Sequence, residues 1–131
     1  MKIKDIFKLG RAGEEKKFKS KIGNDMLLCH GSRISNFAGI LSQGINRIII
    51  SANYLLGLRI APPEAPVSGY FFGKGVYFAD MIQMAQFFAN FGLSPKNEGA
   101  VLLSRVALGT PNLKYAFDHN ANELPKGKNR Y

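Results

Sequence analysis

The segment "GAVLLSRVALG" (99–109) constrains the fold more than any other part of the chain. A short apolar run bounded by turn residues is the pattern of a buried strand. "MLLCHGS" (26–32) repeats that pattern and ends on a glycine. Between the two lie helix-like segments. "SNFAGILSQG" (35–44) reads as a short helix, with Asn36 as candidate cap, apolar residues at 37, 40 and 41, and Gly44 as the stop. "INRIIISANYLLG" (45–57) reads two ways: its β-branched run suggests a strand, while Leu55 and Leu56 extend a helix equally well. The prolines of "APPEAP" (61–66) require a loop. "GVYFA" (75–79) is strand-like. Asp80 then caps a helix reaching about Asn90, and Gln83 completes a variant capping box. On that helix Met81, Met84, Ala85 and Phe88 share one face, the spacing of a core stripe. From Pro111 onward the chain is turn-rich. Strands and helices alternate without regular βαβ spacing, which predicts a mixed α+β domain.

A chain of 131 residues forms one domain, able to bury a sizeable core, and its 46% apolar content suits a globular protein. A single cysteine excludes an internal disulfide and suits a reducing compartment. No apolar run approaches the ~18 residues of a membrane span, so no membrane contact is expected. "MKIKDIFKLG" is too charged for a signal peptide. The net charge of +9 is uneven: eight of the 18 basic residues fall in the first 21 positions, against three acids. Lys126, Lys128 and Arg130 form a smaller basic group at the other end. Residues 1–25 are thus a basic flank with Ile3, Ile6 and Phe7 as anchors. The plain reading is a solvated flank; the functional one is contact with DNA or another polyanion. No helix-turn-helix, zinc-finger or RNP pattern accompanies the charge.

The chemistry concentrates in "GYFFGKGVYFAD" (69–80). It is not a Walker A loop: three residues rather than four separate Gly69 from Gly73, and Gly75 follows Lys74. The dinucleotide pattern G-x-G-x-x-G fails at Phe78. Tyr77 and Phe88 flank a strand-to-helix corner, so their rings can face each other, with room left by Gly73 and Gly75. His30 precedes Gly31, Ser32 and Arg33, and a glycine there lets a ligand approach the main chain. Together these features suit a planar ligand held between rings and bare backbone. Each has a plainer reading: a structural histidine, a core phenylalanine, glycines that only turn the chain. Cys29 beside His30 looks like a nucleophile pair, yet neighbours on a strand point to opposite faces. Two histidines 89 positions apart and one cysteine give no metal-ligand set.

"LLCHGSR", "NFAGILSQG", "LRIAPPEAPVSGYFFGKGVYFADM", "VALG" and "LPKGK", in that order, resemble the catalytic domain of the poly(ADP-ribose) polymerases, in their nuclear, DNA-damage-responsive branch. The resemblance runs from about Met26 to Lys128, and "IFKL" with its basic run looks like the segment that precedes this motif. It implies an ADP-ribosyltransferase fold with a mixed, mainly antiparallel sheet over residues 26–131, incomplete at the C-terminus. It also implies NAD+ as a consumed substrate, protein acceptors, release of nicotinamide, and a nuclear location. By the same resemblance the main chain at Gly31 pairs with the nicotinamide carboxamide and Tyr77 stacks on the ring. His30 bonds the adenosine ribose, with Ser32 on the same rim; Gly39 and Arg59 line the adenosine side, and Tyr70 neighbours the pocket. His30 and Tyr77 are the expected catalytic residues, with no metal.

The sequence departs from that family in four places. The family completes its catalytic set with a downstream glutamate, and this sequence ends at Tyr131 before such a strand; Glu98 and Glu123 lie in loop-like stretches and are not substitutes. An isolated chain of this kind is expected to make little or no polymer, and the alternative is a truncated, non-catalytic relative that binds nicotinamide-like ligands or is a basic nucleic-acid-binding fragment. Residues 45–57 are an insertion, carrying "SANY" out of its usual place. Ala85 stands where a serine hydroxyl binds the carboxamide, and Phe88 keeps the ring of a second stacking tyrosine. Cys29 replaces a tryptophan.

Overall fold

The computed structural model describes residues 2–10, 16, 18–41, 58, 60, 64, 70–89, 92, 94, 96–121 and 123–128. Two strands, β1 (Asp25–Ser32) and β2 (Ala100–Ala107), form an antiparallel pair with Asp25 opposite Ala107 and Ser32 opposite Ala100. Helices α1 (Ile34–Leu41) and α2 (Ile82–Ala89) follow β1 in the chain and precede β2. This is the α+β class expected from the apolar pattern. The insertion 45–57, Arg59 and most of 61–69 lie outside the described residues.

The open end of the pair is zipped by local backbone geometry. Gly23 (φ 75°) and Asn24 (φ 52°) reverse the chain before β1. There Asn24 accepts from Leu108 N–H, Gly23 accepts from Gly109 N–H, and the Asn24 amide donates back to the Gly109 carbonyl at 3.0 Å. On the same face, Arg105 donates through Nε and Nη2 to the Asp25 carboxylate and lies 4.7 Å from the Phe18 ring centre. These contacts tie the basic flank to the sheet. Lys4 adds a second tie by pairing with Glu98.

Four sequence expectations are corrected. The stretch 75–79 forms no strand: it meets the sheet at the single residue Ala79, which exchanges both backbone hydrogen bonds with Cys29 (2.7 and 2.8 Å). The glycines at 73 and 75 leave it too irregular to extend the ladder. Asn36 is not a cap but sits within the first turn of α1, its amide donating to Ser32 Oγ at 2.9 Å. Met81, rather than Asp80, ends the turn before α2, its carbonyl accepting from Ala85 N–H. β2 is half-buried: Leu103 is 61% exposed, and so is Leu27 (66%) on β1. Among the described residues α2 covers only one end of that face.

The stripe on α2 is also displaced. Ala85 and Ala89 are its buried residues, each 2% exposed, whereas Met81, Met84 and Phe88 are substantially exposed. Small side chains four residues apart make a flat face on which the helix backbone sits close to β1. The buried apolar set among the described residues is small: Leu28, Phe37, Ile40, Leu108 and Ala121 join the two alanines.

Candidate active site

Gly31 explains the close seating of α2. A methyl at this position would stand 1.7 Å from the Ala85 carbonyl oxygen and 3.1 Å from Ala89 N. It would fall on the helical hydrogen bond between those groups, so only hydrogen fits. The main chain of Gly31 is directed elsewhere. In an antiparallel strand, N–H and C=O groups point to alternate edges along the chain. Cys29 sends both to Ala79, on the edge away from β2. Gly31, two residues on, therefore turns its N–H and C=O to the same edge, beyond the point where the 75–79 segment leaves the sheet.

That edge opens into a cavity of about 1170 Å³. Small-ligand clefts run to ~300–1,000 Å³, so the space is large enough for a small organic ligand. His30, Gly31, Ser32, Gly39, Tyr70, Tyr77 and Phe88 all border it. The structure thus brings together seven of the eight residues singled out from the sequence; Arg59 lies outside the described residues. Cys29, Met84 and Ala85 also contribute to the wall.

Beside the Cys29–Ala79 backbone pair, a side-chain hydrogen bond joins the two motifs: His30 Nδ1 to the Tyr77 carbonyl at 2.8 Å. A carbonyl can only accept, so Nδ1 carries the proton. In the neutral ring Nε2 is then an acceptor, suited to a hydroxyl. The imidazole packs edge-on against Phe78 at 5.7 Å, which fixes its plane. Ser32 Oγ is held by the Asn36 amide.

Tyr77 is held from both ends. Its hydroxyl donates to the Gly73 carbonyl at 2.6 Å and accepts from Phe72 N–H at 3.1 Å. Its ring lies 6.1 Å from that of Tyr70, tilted 33°. Gly73 has φ 73°, a left-handed conformation that glycine adopts freely. It therefore serves the turn, while Gly75 borders open space. Phe88 packs edge-on with Phe87 (5.6 Å, 87°) and turns toward the cavity instead of the core. Outside the loop, Asp118 N–H donates to the Phe71 carbonyl, His119 Nδ1 to the Tyr70 carbonyl, and Phe71 stacks on Phe117 at 4.8 Å. Sequence reasoning missed this outer brace, because its residues lie in a turn-rich segment without periodicity.

Carboxylates are scarce here. Asp80 is the one acid bordering the cavity among the described residues. Glu98 pairs with Lys4, and Glu123 is exposed on a bend. No three of His, Cys, Asp and Glu gather as a metal-binding group among the described residues, and no helix among them is long and apolar enough to cross a membrane.

A family profile described as "Poly(ADP-ribose) polymerase catalytic domain" matches residues 1–131. The chain belongs to the poly(ADP-ribose) polymerase catalytic-domain family. It is 50% identical over 132 residues to poly [ADP-ribose] polymerase 2 of Zea mays, covering 98% of this chain and 18% of that protein. To poly [ADP-ribose] polymerase 2 of Homo sapiens it is 44% identical over 128 residues, covering 98% and 20%. To poly [ADP-ribose] polymerase 1 of Caenorhabditis elegans it is 52% identical over 124 residues, covering 94% and 12%. The chain therefore spans a fifth or less of the length of these curated relatives. The match includes the basic flank.

Proposed function

We propose that this chain carries the nicotinamide end of an NAD+ ADP-ribosyltransferase site, of the kind that moves ADP-ribose to protein acceptors and releases nicotinamide. The observation that carries the reading is the hydrogen bond between His30 and the Tyr77 carbonyl. It brings the open backbone edge of Gly31 and the Tyr77 ring to one cavity. In this reading the carboxamide pairs with Gly31 N–H and C=O, and the pyridine lies on Tyr77 toward Phe88. The nicotinamide–ribose bond breaks, the ribose develops oxocarbenium character, and an acceptor nucleophile takes it. Gly31 and Tyr77 orient the leaving group. Such positioning lowers the barrier without forming a covalent bond to the protein. His30 Nε2 accepts from the adenosine ribose; Ser32 and Gly39 border that side, joined by Arg59. Tyr70 supports Tyr77.

NAD+ and protein acceptors are the partners of this reading, DNA is a further one through the flank, and a nuclear, DNA-repair setting is what the family resemblance implies. Incubation with labelled NAD+ and a protein acceptor tests the activity. Because no glutamate borders the cavity among the described residues, transfer by this chain is expected to be slow, by ~10²–10³ where one stabilising group is wanting, with little chain growth. Vigorous polymer synthesis would refute that expectation. The scarcity of acids also favours a second reading, a binder of nicotinamide-like ligands without turnover. Calorimetry with nicotinamide separates the two: heat without label transfer selects the binder.

A further inference from the structure

Tyr77 presents two different chemistries to its surroundings. Its ring borders the cavity, and its hydroxyl does not reach outward for a ligand. The phenol donates its one proton to the Gly73 carbonyl and accepts the Phe72 N–H. One side chain thus closes the segment 72–77 on itself, in a stretch that has no ladder until Ala79. Gly73, the acceptor of that bond, holds φ 73°, where a side chain would be strained. Without the hydroxyl, the backbone at Phe72 and Gly73 would lose this inner anchor, while the outer ties at Tyr70 and Phe71 remain.

We infer that the Tyr77 hydroxyl is a positioning group that pins the 72–73 backbone and so fixes the attitude of the Tyr77 ring, while the ring face alone meets the ligand. The role rests on the nicotinamide-site reading for its ligand, and on the two hydrogen bonds for its mechanism. The division makes Tyr77→Phe informative, since it removes the pin and keeps the ring.

The test uses the full 131-residue chain with benzamide as the planar carboxamide probe. Amide exchange at Phe72 reads the pin. Exchange at Cys29, bonded to Ala79, reads the integrity of the fold. The upfield ring-current shift of bound benzamide reads the ring. In Tyr77→Phe, exchange at Phe72 should rise about tenfold with Cys29 unchanged. Benzamide should bind about three- to tenfold more weakly with its ring-current shift retained. Tyr77→Leu should lose the shift. Gly73→Ala disturbs the acceptor without touching the tyrosine, and should weaken binding while keeping the shift. Unchanged Phe72 exchange in Tyr77→Phe, or wild-type affinity in that variant, overturns the inference. Failure of the unmodified chain to bind benzamide overturns the ligand reading instead, and the Phe72 exchange ratio still decides the pin.

Discussion

Two substitutions at the contact between β1 and α2 separate packing from binding. Gly31→Ala places a methyl on the Ala85 carbonyl, a backbone atom that cannot swing aside. The helix must shift or the strand must bend, and overpacking of this kind costs about 1–3 kcal/mol or more. Thermal unfolding should show a lowered Tm, together with lost exchange protection at Ala89. Ala85→Ser does the reverse. The site is buried, borders the cavity and adjoins Gly31, so a hydroxyl there gains a carboxamide partner. Nicotinamide affinity should rise by roughly 0.5–1.5 kcal/mol, three- to tenfold; calorimetry on the two chains gives the ratio. Seven of the eight residues named from the resemblance border one cavity, because they sit on two motifs that the β1 edge and the His30–Tyr77 contact bring together. What the letters hid was the reason for Gly31: the sequence suggested room for a ligand, and the coordinates add a helix backbone pressed against its Cα.

At the level of elements, the two strands and the two helices were legible from their apolar patterns, whereas the antiparallel pairing of β1 with β2 is a long-range contact that the structure supplied. The 75–79 segment misled because its letters are those of a strand, while pairing depends on a partner that runs alongside it. The outer brace at 114–121 has no period at all, being built from single contacts. Its key group is Asp118, whose carboxyl is held below its ordinary 3.8, first by the hydrogen bond from Lys114 Nζ (2.8 Å) and then by Asn120 N–H. A lowered folded value means that this group's stabilisation is complete above 3.8 and disappears as pH falls through the folded value. Titration downward should therefore release the turn, seen as a shift and faster exchange at the Asn120 amide, before the β1–β2 amides respond. Asp118→Asn should remove this acid step. A turn that responds to acid identically in that variant would assign the transition to another group.

For the molecule as a whole, the charge is the property least explained by the cavity. Eight basic residues against three acids put five of the nine net positive charges into residues 1–21, and none of the described residues among these borders the cavity. Lys4 is paired with Glu98, and Arg105 and Phe18 fasten the flank's inner end to the sheet. The flank is thus carried at a defined place and remains exposed over 2–10. If it serves a polyanion, binding to duplex DNA should weaken with salt at a slope proportional to the phosphates neutralised, about −0.9 per contact. Deleting residues 1–21 should then abolish most of the slope while leaving nicotinamide binding intact, since none of the described residues among them borders the cavity. Binding that keeps its salt slope after the deletion would place the polyanion surface on the domain itself, and the basic group at Lys126 and Lys128 would become its centre.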